Sequence, residues 1–242
     1  MRRILLIIFR NFFRLPYAFF GLCYYAWRTN KYSEERKYSF IKKFTRWIVT
    51  SGRVNLEVHG QENIPEENGF MFFPNHQGLF DGFAIVEACP VSFSTVYKKE
   101  LKNIPFLKQM FACVKAIALD RKDVWQGADV IKQVTKEVKD GRNYMIFAEG
   151  TRSQNENQLL DFKGGSFKSA IRAKCPIMPV ALIDSYRVFD TGSITRATVQ
   201  VHFLDVLYYE DYKGLSAVKV AGLVKSAIEN TIAEYSIENN SR

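Results

Sequence analysis

Residues 70–90 read FMFFPNHQGLFDGFAIVEACP and contain the sharpest change of pattern in the chain. Residues 70–73 form a short apolar run that stops at Pro74, which is typical of a buried strand. Residues 80–89 have the apolar content of a helix, and Pro90 ends it. An apolar strand joined to a helix by a short polar loop is the repeating unit of α/β proteins.

The same alternation extends outward from this stretch in both directions. Further strands are predicted at residues 54–58, 93–97, 117–119, 144–148, 177–182 and 198–203. Helices are predicted at residues 33–50, 123–140, 166–174 and 217–235. A chain of 242 residues is long enough for one sizeable core. We therefore expect an α/β domain over residues 54–242, with a mixed, largely parallel sheet covered by helices on both faces.

The positive charge of the chain is concentrated before this domain. The formal net charge is +9, but residues 1–53 alone hold twelve Lys or Arg against two Glu, which gives +10. A basic segment indicates either nucleic acid or an anionic membrane surface. Fourteen of the thirty-five aromatic residues also lie in this segment. Large rings interleaved with cations suit the headgroup region of a bilayer, so a membrane is predicted as partner and nucleic acid is not.

The apolar runs of this segment are too short for a single transmembrane helix. The run at residues 4–9 breaks at Arg10 and no small-residue cleavage site follows, which disfavours a signal peptide. Residues 15–27 are apolar but fall short of the ~20 residues that span a bilayer. We expect two helices that lie in one leaflet or dip into it, with Pro16 near the bend. Whether this pair spans the bilayer is left open.

A third predicted helix, residues 33–50, carries an apolar stripe formed by Ile41, Phe44 and Ile48. This stripe either continues the membrane contact or packs on the protein core. In both cases, residues 1–53 are predicted to be a basic, aromatic-rich helical membrane anchor. The flanking Arg and Lys residues favour the cytoplasmic face of the cell membrane.

The four cysteines and three histidines are scattered along the chain and form no C-x-x-C pair or clustered ligand set. A zinc site would need such a cluster. We therefore predict no metal and no cofactor, and we interpret the cysteines as small buried thiols in a reducing compartment.

One polar group after the strand at residues 70–73 has the spacing of a general base. His76 follows the strand, and Asp81 stands five residues later at the predicted helix start. A carboxylate in that position can hold one ring nitrogen and stabilise the imidazolium that forms when the other takes a proton. The spacing alone is also common in structural histidines. No G-x-S-x-G motif supplies a nucleophile, so such a base would activate a substrate hydroxyl directly.

Polar residues at other strand ends add an anion-binding character to this expected site. Glu149-Gly150-Thr151-Arg152 follows one strand and offers a glycine for close approach, a hydroxyl and a guanidinium suited to phosphate. Arg121 ends another strand, and Lys98 follows a third. Alternative interpretations are an ordinary ion pair for Arg121, a solvated turn for Lys98 and a loop-bracing carboxylate for Glu149.

Taken in order, the motifs of this sequence resemble those of the glycerolipid acyltransferase family, and most closely its bacterial-type 1-acyl-glycerol-3-phosphate acyltransferases. The four motifs are Asn75-His76-Gln77-Gly78-Leu79-Phe80-Asp81, Ile117-Ala118-Leu119-Asp120-Arg121, Phe147-Ala148-Glu149-Gly150-Thr151-Arg152-Ser153 and Ile177-Met178-Pro179-Val180. The resemblance covers about residues 54–205. Each motif alone is modest, whereas the ordered set is highly specific.

The resemblance implies a reaction and a role for each residue. An acyl group would pass from acyl-CoA or acyl carrier protein to the sn-2 hydroxyl of lysophosphatidic acid, forming phosphatidic acid in phospholipid biosynthesis. His76 would be the base and Asp81 its partner. Binding of the substrates would involve Asn75, Lys98, Arg121, Glu149, Gly150, Thr151, Arg152 and Pro179.

The sequence departs from the family pattern at two positions. Gly78 stands where the family commonly has Ser, and Ala118 where a bulkier residue is frequent. Three other functions are weighed: acylation of glycerol 3-phosphate, another lysophospholipid or a lipid A precursor; a non-catalytic membrane-surface lipid-binding protein; and a hydrolase. The intact motifs argue against the second, and the missing nucleophile argues against the third.

Overall fold

The computed structural model describes residues 2–120 and 123–240, and within them the chain folds around a seven-stranded sheet. The strands are β1 (Val54–His59), β2 (Met71–Pro74), β3 (Ser94–Lys98), β4 (Ile117–Leu119), β5 (Tyr144–Met145), β6 (Ile177–Ile183) and β7 (Ala197–Phe203). Their order in the sheet is β1-β7-β6-β2-β5-β3-β4. Only β6 and β7 pair antiparallel among these strands, and the other neighbours are parallel. The predicted mixed, largely parallel sheet is confirmed.

Ten α-helices accompany this sheet in the described residues. They are α1 (Arg2–Arg10), α2 (Leu15–Trp27), α3 (Glu34–Ser51), α4 (Asp81–Ala88), α5 (Leu107–Cys113), α6 (Val124–Lys139), α7 (Lys168–Ala173), α8 (Tyr186–Phe189), α9 (Tyr209–Tyr212) and α10 (Ala217–Asn240). The sequence patterns did not predict α5, α8 and α9. These helices have seven, four and four residues, too few for an apolar periodicity to emerge.

Helices cover both faces of the sheet, as predicted. Side chains alternate along β2, so that Phe72 packs with α3 and α4 on one face while Met71 and Phe73 pack with α6 and α10 on the other. Of the cysteines, Cys89, Cys113 and Cys175 are buried in these two layers, and all four are free thiols.

The strand directions bring several loops to one edge of the sheet. Because β2, β3, β5 and β6 are mutually parallel, their carboxyl ends lie on the same edge. The loops that follow β2, β5 and β6 are therefore neighbours there, which is where α/β proteins carry their ligand-binding groups.

The first two helices meet at a bend of 89°, with Pro16 in the first turn of α2. In the described part of the chain, no single helix has the length and apolarity needed to cross a bilayer, but α1 and α2 together satisfy both criteria. Ile41, Phe44 and Ile48 of α3 are buried against the core. Of the two alternatives for that stripe, packing on the protein is therefore the observed one.

A buried arginine fastens α1 to the rest of the protein. Arg3 is 1% exposed and donates to the carbonyl oxygens of Gly52 at 2.6 Å, Thr195 at 2.7 Å and Ser193 at 3.2 Å. Burial, and then the charge of Arg53, lower the pKa of Arg3. The side chain thus joins α1 to the loop after α3 and to the loop before β7.

Candidate active site

His76 and Asp81 meet at the carboxyl end of β2. The ring nitrogen Nδ1 of His76 lies 2.7 Å from Oδ2 of Asp81, which is the first residue of α4. The chain can make this contact because β2 ends at Pro74 and a short loop turns directly into α4. The sequence-based expectation that the carboxylate approaches the imidazole is thus matched by the geometry.

The Asp81 carboxylate is fully buried and its oxygens are occupied by donors. Besides His76, Oδ2 accepts from the main-chain N–H of Gln77 at 2.6 Å and of Gly78 at 3.0 Å. Oδ1 accepts the hydroxyl of Ser185. A buried carboxylate needs such donors to stay charged, and its position at the start of a helix also favours the negative charge. These hydrogen bonds fix the carboxyl group of Asp81 behind the imidazole.

The ring and the main chain of His76 each make one further contact. Its ring stacks on Phe147, with ring centroids 4.0 Å apart and an angle of 19° between the planes. The main-chain carbonyl of His76 accepts from the N–H of Ser153 at 2.8 Å. The His76 side chain is nevertheless 22% exposed, so a substrate can reach the ring.

Glu149 braces the same loop from beneath. It is 1% exposed, and its carboxylate accepts the main-chain N–H of His76 at 2.6 Å and of Leu160 at 2.9 Å. Burial raises the pKa of Glu149, and the two hydrogen bonds oppose that rise. Glu149 thus connects the loops after β2 and β5.

Two other predicted binding residues have supporting positions. Asn75 is 1% exposed and exchanges two hydrogen bonds with the main chain of Leu182, at 2.7 and 3.0 Å. Pro179 is buried in β6, paired with Phe73 of β2. Both residues lock β2 and β6 together behind the imidazole.

The loop after β5 presents cations to the site. Arg152 forms an ion pair with Asp190, Nη1 to Oδ1 at 3.0 Å, and Thr151 is exposed beside it. Gly150 has φ +73°, and a Cβ there would lie 3.0 Å from Nζ of Lys163. The glycine therefore allows both the turn and the close approach of the lysine, a cation that the sequence patterns did not single out.

The remaining predicted cations lie elsewhere on this edge or outside the described residues. Lys98 ends β3, which is separated from β2 by β5, and its ammonium is 3.3 Å from Glu100. The neighbouring Lys99 pairs with Asp120 at 2.5 Å. Arg121 lies outside the described residues.

Sequence reasoning missed two buried residues that organise the pair. Ser185 follows β6 and donates to Asp81, and its main-chain N–H donates to the side chain of Gln77 at 3.1 Å. The Gln77 amide in turn donates to Leu182 O at 3.0 Å. The available signal was the polar residue just after the apolar strand at 177–182, the same signal that drew attention to His76.

This geometry has a definite chemical capacity. With Nδ1 engaged by a buried carboxylate, the ring can accept a proton on Nε2 and be stabilised as imidazolium. The cations beside it favour an anionic ligand.

The family model described as Acyltransferase matches residues 55–183, which is more than half of the chain.

The chain belongs to the acyltransferase family.

Relatives of this acyltransferase carry more specific names. The chain is 28% identical over 178 residues to the 1-acyl-sn-glycerol-3-phosphate acyltransferase of Borreliella burgdorferi, covering 71% of this chain and 69% of that protein. The enzyme of that name from Saccharomyces cerevisiae is 31% identical over 148 residues, covering 57% of this chain and 48% of its own length. The chain thus spans about half of the yeast relative.

The fold also matches a solved structure. The 1-acyl-sn-glycerophosphate (LPA) acyltransferase PlsC from Thermotoga maritima superposes with a TM-score of 0.78, at 22% identity, over 97% of this chain and 96% of that one. The α/β fold and the resemblance to bacterial acyltransferases are both confirmed.

Proposed function

We propose that this acyltransferase moves a fatty acyl group from an acyl thioester to the sn-2 hydroxyl of lysophosphatidic acid, forming phosphatidic acid. The observation that carries the proposal is the 2.7 Å contact between His76 and the buried Asp81, at an edge that also presents Arg152 and Lys163. The names of the bacterial and yeast relatives agree with it. Acyl-CoA and acyl carrier protein are both candidate donors.

His76 acts as the general base in this reaction. Because a carboxylate can only accept, we assign the N–H of the contact with Asp81 to Nδ1. Nε2 then takes the proton from the acceptor hydroxyl as its oxygen attacks the thioester carbonyl. A carbon–oxygen bond forms and the carbon–sulfur bond breaks. The imidazolium then returns the proton to the departing thiolate, and the enzyme is left unchanged. Asp81 stabilises the imidazolium between these two steps.

The transfer is direct, without an acyl-enzyme. Ser185 is a serine whose hydroxyl contacts the His76–Asp81 pair. It is fully buried, however, and it donates to Asp81 rather than to His76. A nucleophilic serine would need to be exposed and hydrogen-bonded to the imidazole. The substrate hydroxyl therefore takes that part.

The acceptor phosphate binds beside the loop after β5. Arg152 offers a planar fork suited to phosphate oxygens, and Lys163 adds a second charge next to the uncovered main chain of Gly150. Thr151, between Gly150 and Arg152 in the sequence, offers a hydroxyl. Lys98 and Arg121, which come earlier in the chain, are the additional cations that the family resemblance assigns to this acceptor.

The proposal includes attachment to the cytoplasmic face of the membrane through α1 and α2. The outward side chains of these helices and of the turn between them include Phe9 at 81%, Phe13 at 91% and Trp27 at 80% exposure. Such rings, each followed by an arginine (Arg10, Arg14 and Arg28), favour a helix pair in the headgroup region. An active site held there takes up a bilayer acceptor without carrying its acyl chain through water.

The reaction is tested with purified, detergent-solubilised protein, lysophosphatidic acid and either thioester donor. We expect phosphatidic acid and free thiol in equal amounts, with the new ester at sn-2. Incubation with a radiolabelled acyl donor alone should leave no acyl group on the protein. His76→Ala is expected to make no product above background. Thiol release without phosphatidic acid would contradict the proposed reaction, and full activity of His76→Ala would contradict the mechanism.

The membrane attachment is tested separately by flotation with vesicles. Replacing Phe9, Phe13 and Trp27 by Ser is expected to reduce vesicle binding at least about tenfold, because each ring that inserts into the bilayer interface contributes to binding. The matched control replaces Val218 and Leu223, exposed residues of α10. Equal binding by the two variants would refute the assignment of α1 and α2 as the anchor.

A further inference from the structure

Asp190 reaches from the loop after α8 into the proposed acceptor site. Its Oδ1 pairs with Arg152 Nη1 at 3.0 Å, and its Oδ2 accepts the main-chain N–H of Leu79 at 3.1 Å. Leu79 belongs to the loop that carries His76. One carboxylate therefore links the proposed phosphate-binding arginine to the loop of the general base.

Gly78 makes room for this carboxylate. A Cβ at Gly78 would lie 2.5 Å from Asp190 Oδ2 and 3.0 Å from the Cα of Tyr186, both closer than ordinary contacts. Any side chain at this position would force Asp190 away from Leu79. The contact between Asp190 and the loop of His76 therefore depends on the lack of a side chain at position 78.

The Arg152–Asp190 pair is half-open to solvent. The side chains are 33% and 31% exposed. Ion pairs of this exposure contribute little to folding stability, so the pair is replaceable. A negatively charged ligand must, however, displace the Asp190 carboxylate from Arg152. Asp190 competes strongly because the fold holds it beside Arg152.

We propose that Asp190 is a specificity determinant that reserves Arg152 for acceptors carrying a phosphate monoester. This inference rests on the proposed acylation of lysophosphatidic acid. A phosphate monoester carries about −1.5 to −2 charges at neutral pH and three strong acceptor oxygens. A phosphodiester carries a single charge, the same as the carboxylate. The monoester therefore gains attraction when it replaces Asp190 beside Arg152, whereas the diester exchanges one single charge for another.

The experiment compares two acceptors that differ in charge and by one methyl group. They are lysophosphatidic acid and its phosphate methyl ester, with the same acyl chain and in the same detergent. The quantity measured is the ratio of kcat/KM for the monoester to that for the diester. We expect Asp190→Asn to lower this ratio about tenfold, mainly through a gain with the diester, because the amide keeps the size of the side chain and removes its charge. Glu210→Gln, which breaks the surface pair with Lys213, is the control and should leave the ratio unchanged.

Two further variants test the route of the effect. Gly78→Ser should displace Asp190 and therefore also lower the ratio. This variant provides the test if Asp190→Asn does not fold. In an Arg152→Gln background, Asp190→Asn should produce no further change, because the two residues act through one contact. An unchanged ratio in both Asp190→Asn and Gly78→Ser, with wild type active on lysophosphatidic acid, overturns the role of Asp190 alone. A wild type that acylates neither acceptor overturns the proposed function instead.

Discussion

Two histidines, His76 in the loop after β2 and His202 within β7, have opposite surroundings. His76 follows the end of β2, is partly exposed and contacts the buried carboxylate of Asp81. His202 lies within β7, is 3% exposed, pairs through Nε2 with Gln200 at 3.0 Å and stacks on His59 with ring centroids 4.4 Å apart. Burial first, and then the charge of His59, lower the pKa of His202 to about 4. The residue type is shared, but burial and the charge of His59 disfavour a proton on His202, whereas a buried carboxylate contacts the ring of His76.

The largest expected effect separates the two histidines by activity. His76→Gln should lower kcat by about 10³-fold, since a positioned general base contributes about 10²–10⁴-fold. His202→Gln should retain kcat within about threefold, because its ring has no access to substrate. Both are measured by acyl transfer to lysophosphatidic acid, with thermal unfolding as the check on folding. Similar losses in both variants would refute the distinction between the two rings.

A second change removes the charge of the partner and keeps its shape. Asp81→Asn should lower kcat about 10²-fold, because the amide oxygen can still accept from Gln77 and Gly78 while the imidazolium loses its counter-charge. The same assay gives the value. Activity near that of wild type would mean that His76 functions without the carboxylate, and the contrast with His202 would then have another cause.

A third change concerns the residue that holds the carboxylate from behind. Ser185→Ala should lower kcat about tenfold with KM for the acceptor unchanged, because a buried carboxylate oxygen loses its donor while the binding groups stay in place. Ser185→Thr, which retains the hydroxyl, should recover part of the loss. A rise in KM without a fall in kcat would show that Ser185 acts on binding and not on the position of Asp81.

The smallest effect is expected in stability and comes from His202. Because its folded-state pKa lies below the ordinary value of 6.5, the unfolded chain takes up the proton first as the pH falls. The contribution of this ring to folding is therefore complete above about pH 6.5 and is lost progressively towards pH 4, with about 1–2 kcal/mol of the loss falling between pH 7 and pH 5. Thermal unfolding between pH 7 and pH 5 should show a smaller drop in His202→Gln than in wild type. Parallel pH profiles would contradict this assignment.

The sequence predicted those parts of the fold and site that local patterns determine. The seven strands were found because each is an apolar run between turn residues, and the approach of Asp81 to His76 followed from a five-residue spacing at a helix start. Ser185 was missed because its contact with Asp81 spans 104 residues and depends on the pairing of β2 with β6. The position of Asp190 likewise depends on the lack of a side chain at Gly78, and the apolar periodicity of the sequence does not predict such a contact.

The buried guanidinium of Arg3 changes how a soluble version of this protein should be engineered. Cutting the chain after residue 30 would leave the carbonyls of Gly52 and Thr195 without their donor. It would also remove Ile7 and Leu22 from the core and expose apolar side chains of α3 that pack in the same cluster. Such a truncation would aggregate for reasons unrelated to lipid. The better route to crystals or to solution NMR keeps the full length and exchanges only the outward rings of the first two helices for polar side chains.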